Sequence, residues 1–239
     1  MAAIEDLSFP SSTGRPMRAA LAQPADGARR PAVIVIHEIF GLNDDIRRIT
    51  ARVADLGYVA LAPDLFDTGA AKVLCVLRAF LALRRREGPA FADLEAARTW
   101  LAQRPEVDAA RTGVVGFCLG GGFALLYSLQ APLKAAGVFY GDVPKSPEEL
   151  HGVCPVVAGY GGRDRLFAGQ GRRLDEMLAA LHVPHDVRLY PDAGHSYMSR
   201  HTGLMATLAA WGPMAVGFDA DAEADSWRRI AAFFRTHLG

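Results

Sequence analysis

VVGFCLGGGFALLY, residues 114–127, sets a cysteine between two glycines, with a β-branched run before it and an apolar run after it. The first run has the character of a buried strand and the second that of a buried helix, so Gly116-Phe117-Cys118-Leu119-Gly120 falls on the turn between them. A turn this tight requires small residues two before and two after its apex, and both positions are glycine. Cys118 then stands where a hydrolase of this architecture carries its nucleophile. The Leu119 N–H, at the start of the following helix, is placed to face a developing oxyanion. A plain Gly-rich turn with cysteine as a small apolar filler accounts for this stretch alone equally well.

The flanking chain repeats the strand–turn–helix theme. In PAVIVIHEIFGLNDDIRRITARVADLGYVALAPDLF, Val33–Ile36 reads as a strand. Asn43 is a cap for a helix with apolar residues at Ile46, Ile49, Val53 and Leu56, and Tyr58–Ala62 is a second strand. Helices are predicted over about 70–86, 91–103, 119–130, 170–181 and 225–237, and strands over 112–116, 135–140, 155–160 and 186–190. Residues 2–24 alternate weakly and suit antiparallel edge strands. This order predicts an α/β fold, a mostly parallel central sheet with helices on both faces, formed by a single domain over 1–239.

The 239 residues include 51% hydrophobic side chains, ample for a core, and 26 basic against 26 acidic residues. With no net charge, neither nucleic acid nor anionic lipid is an expected partner. The N-terminal stretch lacks the basic and apolar regions of a signal peptide, and no apolar run approaches the roughly 20 residues of a membrane span. The three cysteines, at 75, 118 and 154, form no CxxC pair. A cytoplasmic, reducing setting is expected, in which a free thiol can act as a nucleophile. Cys75 and Cys154 read as packing residues.

A thiol nucleophile needs a base, and the base needs an orienting acid. His195 in YPDAGHSYM follows a predicted strand through a Pro/Asp/Gly loop. Asp164 in AGYGGRDRLF follows another through a glycine loop, although an aspartate there can also simply cap the next helix. Three strands thus deliver one group each, in the chain order nucleophile, acid, histidine, beyond the strand ends where such sheets gather their ligands. The remaining histidines, at 37, 151, 182, 185, 201 and 237, show no such partner pattern, and no spacing predicts a metal site. Tyr140, just after its strand, is a pocket-lining candidate.

With HEIFGLN, GYVALAPDLF, DLEAARTWL, GVVGFCLGGGFALL, GVFYG and DAGHSYM in this order, the chain resembles the dienelactone hydrolase family. The resemblance implies an α/β-hydrolase fold with no separate lid domain, and Cys118, Asp164 and His195 as a triad, with no cofactor. It also implies that Glu38 contacts the resting thiol and takes part in activating it when substrate binds, that Ile39 supplies a second oxyanion N–H beside that of Leu119, and that Ser196 contacts the substrate. The family's two substrate-binding arginines do not carry over directly. Ser199 stands at one position, with Arg200 one residue late, and Cys75 at the other, with Arg78 nearly a helical turn on. In an arginine-rich chain these arginines read as incidental, Arg78 being the substrate-binding candidate. The implied activity is cleavage of a small-molecule lactone or activated ester by a monomer or small homo-oligomer. Neutral esters or thioesters are an alternative substrate class, and a redox-sensing or non-catalytic binding protein on the same scaffold is a third reading. In the segment 199–226, Met205, Trp211 and Met214, with Met198 before it, suit either an apolar wall over the site or surface packing.

Overall fold

A computed structural model describes residues 1–68, 70–201 and 210–239. Strands β1 (Ile4–Pro10), β2 (Pro16–Ala22), β3 (Arg30–Ile36), β4 (Val59–Pro63), β5 (Val107–Phe117), β6 (Ala136–Phe139), β7 (Val156–Gly161) and β8 (His185–Tyr190) form one sheet in the order β1-β2-β4-β3-β5-β6-β7-β8. The β1–β2 and β2–β4 pairings are antiparallel and the rest parallel. Helices α1 (Asp44–Asp55), α2 (Lys72–Arg85), α3 (Pro89–Ala102), α4 (Leu119–Tyr127), α5 (Ala168–Ala180) and α6 (Ala220–Leu238) connect or follow the strands. No helix among the described residues is long and apolar enough to cross a membrane.

Strand side chains alternate between two apolar layers, as the twofold repeat of a strand requires. Ile34, Ile36, Val114 and Val138 enter the layer with α3, α4 and α5, while Val33, Val35, Val115 and Phe117 face α1 and α6. The central strands are buried on both faces, which explains their unbroken apolar runs. Asn43 caps α1 by accepting the Ile46 N–H at 2.9 Å, and Gly57 ends the turn at a φ of +100°.

The observed elements depart from expectation mainly at their ends. β5 begins at Val107, five residues early, because its first residues pair with Arg30 and Pro31 before a register shift at Pro31/Ala32. α6 begins at Ala220 because Asp219 accepts the Ala222 N–H at 2.9 Å, and its first turn, of two alanines and two acids, carries no large apolar side chain to mark the helical period. α2 turns Val73, Leu77, Phe80 and Leu81 outward, and Trp211 is 90% exposed. Met198 is fully buried in the layer of α1 and α6. Of the apolar wall envisaged for segment 199–226, Met198 is therefore core and Trp211 is surface, and Met205 lies outside the described residues.

Candidate active site

Each group singled out on the core strands sits just beyond a carboxyl end: Glu38 after β3, Cys118 after β5, Tyr140 after β6, Asp164 after β7 and His195 after β8. Parallel strands in register bring these ends to one edge of the sheet. Cys118 has φ 55° and ψ −119°, a left-handed conformation unusual for a side-chain-bearing residue. The turn is so closed that a Cβ on Gly116 would lie 1.9 Å from the Gly120 carbonyl oxygen, and one on Gly120 would lie 2.3 Å from that of Ile36. The two glycines are steric requirements of the elbow.

The Cys118 side chain is partly exposed. Burial of the sulfur, then the Glu38 charge, push the thiol well above its ordinary value, against a hydrogen bond from the Leu119 N–H, and Asp164 adds to the rise. The resting group is a protonated thiol. Among the described residues, neither the Ile39 nor the Leu119 N–H is given to a backbone carbonyl.

Asp164 is completely buried and does two jobs. Its Oδ1 accepts the N–H groups of Leu166 and Phe167 at 3.0 and 3.1 Å, and its Oδ2 lies 2.6 Å from His195 Nδ1. Asp164 does not cap α5, whose first residue is Ala168; its Oδ1 instead holds the turn that leads into that helix, while its Oδ2 faces the imidazole. With Nδ1–H donated to Asp164, the other ring nitrogen is the basic one. His195 Nε2 is buried and has no hydrogen-bond partner among the described residues. The loop carrying it is pinned from both sides, since the His195 N–H donates to the Met214 carbonyl and the Gly217 N–H to that of His195. Tyr140 and Phe167 pack on the imidazole at centroid distances of 5.0 and 4.9 Å.

Glu38 is 3% exposed. Its Oε1 accepts from Ser199 Oγ at 3.0 Å, and its Oε2 lies 2.7 Å from His201 Nε2, with the ring turned so that the contact is an ion pair more than a straight hydrogen bond. Burial works to raise the Glu38 pKa, but the His201 bond and charge, with Ser199, outweigh it and hold the carboxyl below its ordinary value. Burial likewise opposes the charge on His201, yet Glu38, then Asp45, hold its pKa above the ordinary value.

Two of the histidines that showed no triad-like partner pattern in the sequence help to build the site. His201 pairs with Glu38. His37 accepts the Leu65 N–H on Nε2 at 3.0 Å, which fixes the proton on Nδ1 for donation to the Glu38 carbonyl at 2.7 Å. It thereby braces the turn that carries both Glu38 and Ile39. The only sequence signal for His37 was its adjacency to Glu38, and for His201 there was none.

The substrate-binding candidates are dispersed. Tyr140 is fully buried, with its hydroxyl 3.2 Å from Ser199 Oγ, and Ser196 is 3% exposed at a φ of 57°. Arg78 lines a cavity of about 650 Å³ together with Arg15, Phe66, Ala82 and Phe123, which meets the site at His37 and Leu119. Arg200 instead lies 3.5 Å from Glu223 and over the Phe218 ring. Among the described residues no cluster of three or more His, Cys, Asp or Glu side chains is arranged to hold a metal ion.

A sequence model of the dienelactone hydrolase family matches residues 17–238. A Salmonella typhimurium protein provisionally named carboxymethylenebutenolidase is 32% identical over 250 aligned positions, covering 97% of this chain and 87% of that protein. A crystal structure from Klebsiella pneumoniae, provisionally described as a dienelactone hydrolase, superposes with a TM-score of 0.77 at 26% identity, covering 98% of this chain and 99% of the other. The dienelactone hydrolase-like promiscuous phosphotriesterase P91 from metagenomic libraries superposes with a TM-score of 0.83 at 24% identity over all of both chains, a likeness of fold. The sheet order and its flanking helices are those of an α/β-hydrolase.

Proposed function

Because the chain belongs to the dienelactone hydrolase family, and with it to the carboxylic ester hydrolases, we propose that it cleaves a lactone or activated ester through a Cys118–His195–Asp164 triad and a thioester acyl-enzyme. The observation that carries this reading is the buried His195 Nε2, which has no hydrogen-bond partner among the described residues while Nδ1 is held by Asp164.

In the proposed reaction His195 Nε2 takes the Cys118 proton as sulfur bonds to the carbonyl carbon. The N–H groups of Ile39 and Leu119 receive the developing oxyanion. The carbon–oxygen bond to the leaving group breaks, and His195 returns the proton to the departing oxygen; in a lactone that oxygen stays tethered to the acyl group. Water then gives its proton to His195 and attacks the thioester, and the thiolate leaves and is reprotonated. A thiolate is itself a good leaving group, so a tetrahedral adduct of a simple alkyl ester reverts. Enol-lactones, aryl esters and thioesters go forward. Glu38 acts as the gate, its charge keeping the thiol protonated in the absence of substrate.

Two observations favour uncharged substrates as a second reading. Ser199 stands where the family carries an arginine, and both Arg200 and His201 are committed to acidic partners. Arg78 remains a candidate to meet a substrate carboxylate from the wall of the adjoining cavity, which Arg15 and Arg85 also line.

Replacing Cys118 by Ala is expected to abolish turnover across a panel of aryl esters and lactones. Mass spectrometry of the native protein during turnover is expected to find the acyl group on Cys118. Unchanged turnover by the Cys118→Ala protein sinks the assignment.

A further inference from the structure

A carboxylate as buried as Glu38 is costly unless its charge and lone pairs are met. Both are met here from one short stretch of chain, by Ser199 and His201. The single Ser199 hydroxyl proton goes to Glu38, so the 3.2 Å contact with Tyr140 is the tyrosine O–H donating to Ser199. The result is a directed chain from Tyr140 through Ser199 to Glu38, closed on the other oxygen by His201.

This stretch is fixed by α1. Arg48 donates to the Met198 carbonyl at 2.9 Å, and Asp45 accepts the Arg200 N–H at 3.1 Å. The Phe40 ring packs on His201 at a centroid distance of 4.8 Å. Resting on the reading of Cys118 as the nucleophile, we propose that Ser199 and His201 form a cradle holding Glu38 beside the thiol, with His201 the positioning residue that keeps this carboxylate charged and the thiol restrained.

The charged and titratable groups facing the pair are Asp45 and Arg48 of α1, Arg200 of the loop, and His195, Cys118 and Tyr140 across the site. Arg48 is spent on Asp45 and Glu223, and Arg200 on Glu223, so neither supplies Glu38 with a countercharge. Burial pushes both Glu38 and His201 toward their neutral forms, and each is kept charged chiefly by the other. Removing one charge therefore discharges its partner.

The test measures the rate of iodoacetamide labelling of Cys118, located by mass spectrometry, across the acid to alkaline range. In the native protein Glu38 stays ionised through the neutral range and labelling is slow. In His201→Gln the unpaired, buried carboxylate takes up a proton at higher pH. Labelling there should quicken about tenfold, the effect of one unit of thiol acidity. Glu38→Gln should quicken labelling likewise, and adding His201→Gln to it should change nothing further. His201→Arg, which restores a cation, should restore the native profile.

A His201→Gln profile that superposes on the native one overturns the proposal, as does an equal acceleration in the Glu38→Gln background. Should His201→Gln fail to fold, the His201 ring is followed by NMR instead. It should titrate above its ordinary value in the native protein and below it in Glu38→Gln, and equal values overturn the cradle. Ester turnover is not read in any of these arms. Activity surviving in Cys118→Ala would remove the proposed reaction while leaving the cradle to be judged by labelling.

Discussion

Two carboxylate–imidazole pairs, one fully buried and one with a half-buried imidazole, flank Cys118, and they are wired in opposite senses. In Asp164–His195 the carboxylate holds Nδ1, and Nε2 has no hydrogen-bond partner among the described residues. In Glu38–His201 it is Nε2 that faces the carboxylate. In the proposed mechanism the same two functional groups serve as a base in one case and as a neutralised charge in the other. The surroundings decide between them: Asp164 spends its second oxygen on backbone N–H groups, whereas Glu38 spends its own on a hydroxyl of the loop that also brings the histidine.

The sharpest way to break this division of labour is to remove each imidazole in turn. His195→Asn should lower kcat/KM on an aryl ester by about 10²–10⁴-fold, the span of a lost general base. His201→Asn should change it by about tenfold at most. Comparable losses would show that the pairs share one role.

Next in size is the elbow that presents the thiol to both pairs. Gly116→Ala puts a Cβ 1.9 Å from the Gly120 carbonyl oxygen, so backbone must move. A loss of about 2–4 kcal/mol is expected from the urea unfolding midpoint. A stability within experimental error of the native protein would mean that the turn is looser than described.

Substrate charge gives a smaller effect. Arg78→Ala should raise KM for an anionic lactone about tenfold, a typical loss for one charge-assisted contact, and leave an uncharged ester untouched. Equal effects on both would remove Arg78 from substrate recognition.

The smallest effect is on stability against pH, and its sign separates the partners of the second pair. Glu38 is held below its ordinary value of 4.5, so its contribution is present above that pH and is lost as pH falls through the folded-state value. His201 is held above 6.5, so its contribution is present below 6.5 and is lost as pH rises through the folded-state value. Urea midpoints of Glu38→Gln should therefore fall less steeply than native in acid. Parallel curves would mean that the pair adds nothing to folding.

The division between the pairs also marks how far the sequence could be read. Asp164 and His195 announce themselves because each follows a strand through a glycine loop, and chain order supplies the rest. The Glu38–His201 contact joins residues brought together by Arg48, whose guanidinium ties Asp45, Glu223 and the Met198 carbonyl. No local pattern encodes such a three-way tie. The core strands were legible from their apolar runs, but the first turn of α6 was not, since its two alanines and two acids show no apolar period until Asp219 is seen to cap it. The outward apolar face of α2 was hidden for the opposite reason: an apolar helix reads as buried.

The left-handed backbone at Cys118 belongs to the main chain and to its glycine neighbours, so the turn is indifferent to which small side chain stands at its apex. Cys118→Ser would keep the geometry and exchange sulfur for oxygen. Its acyl-enzyme would be an oxygen ester, whose departing alkoxide leaves far less readily than a thiolate. Incubated with a mixture of metabolites, such a protein would retain the acyl group that it recognises, and the added mass would identify its natural substrate.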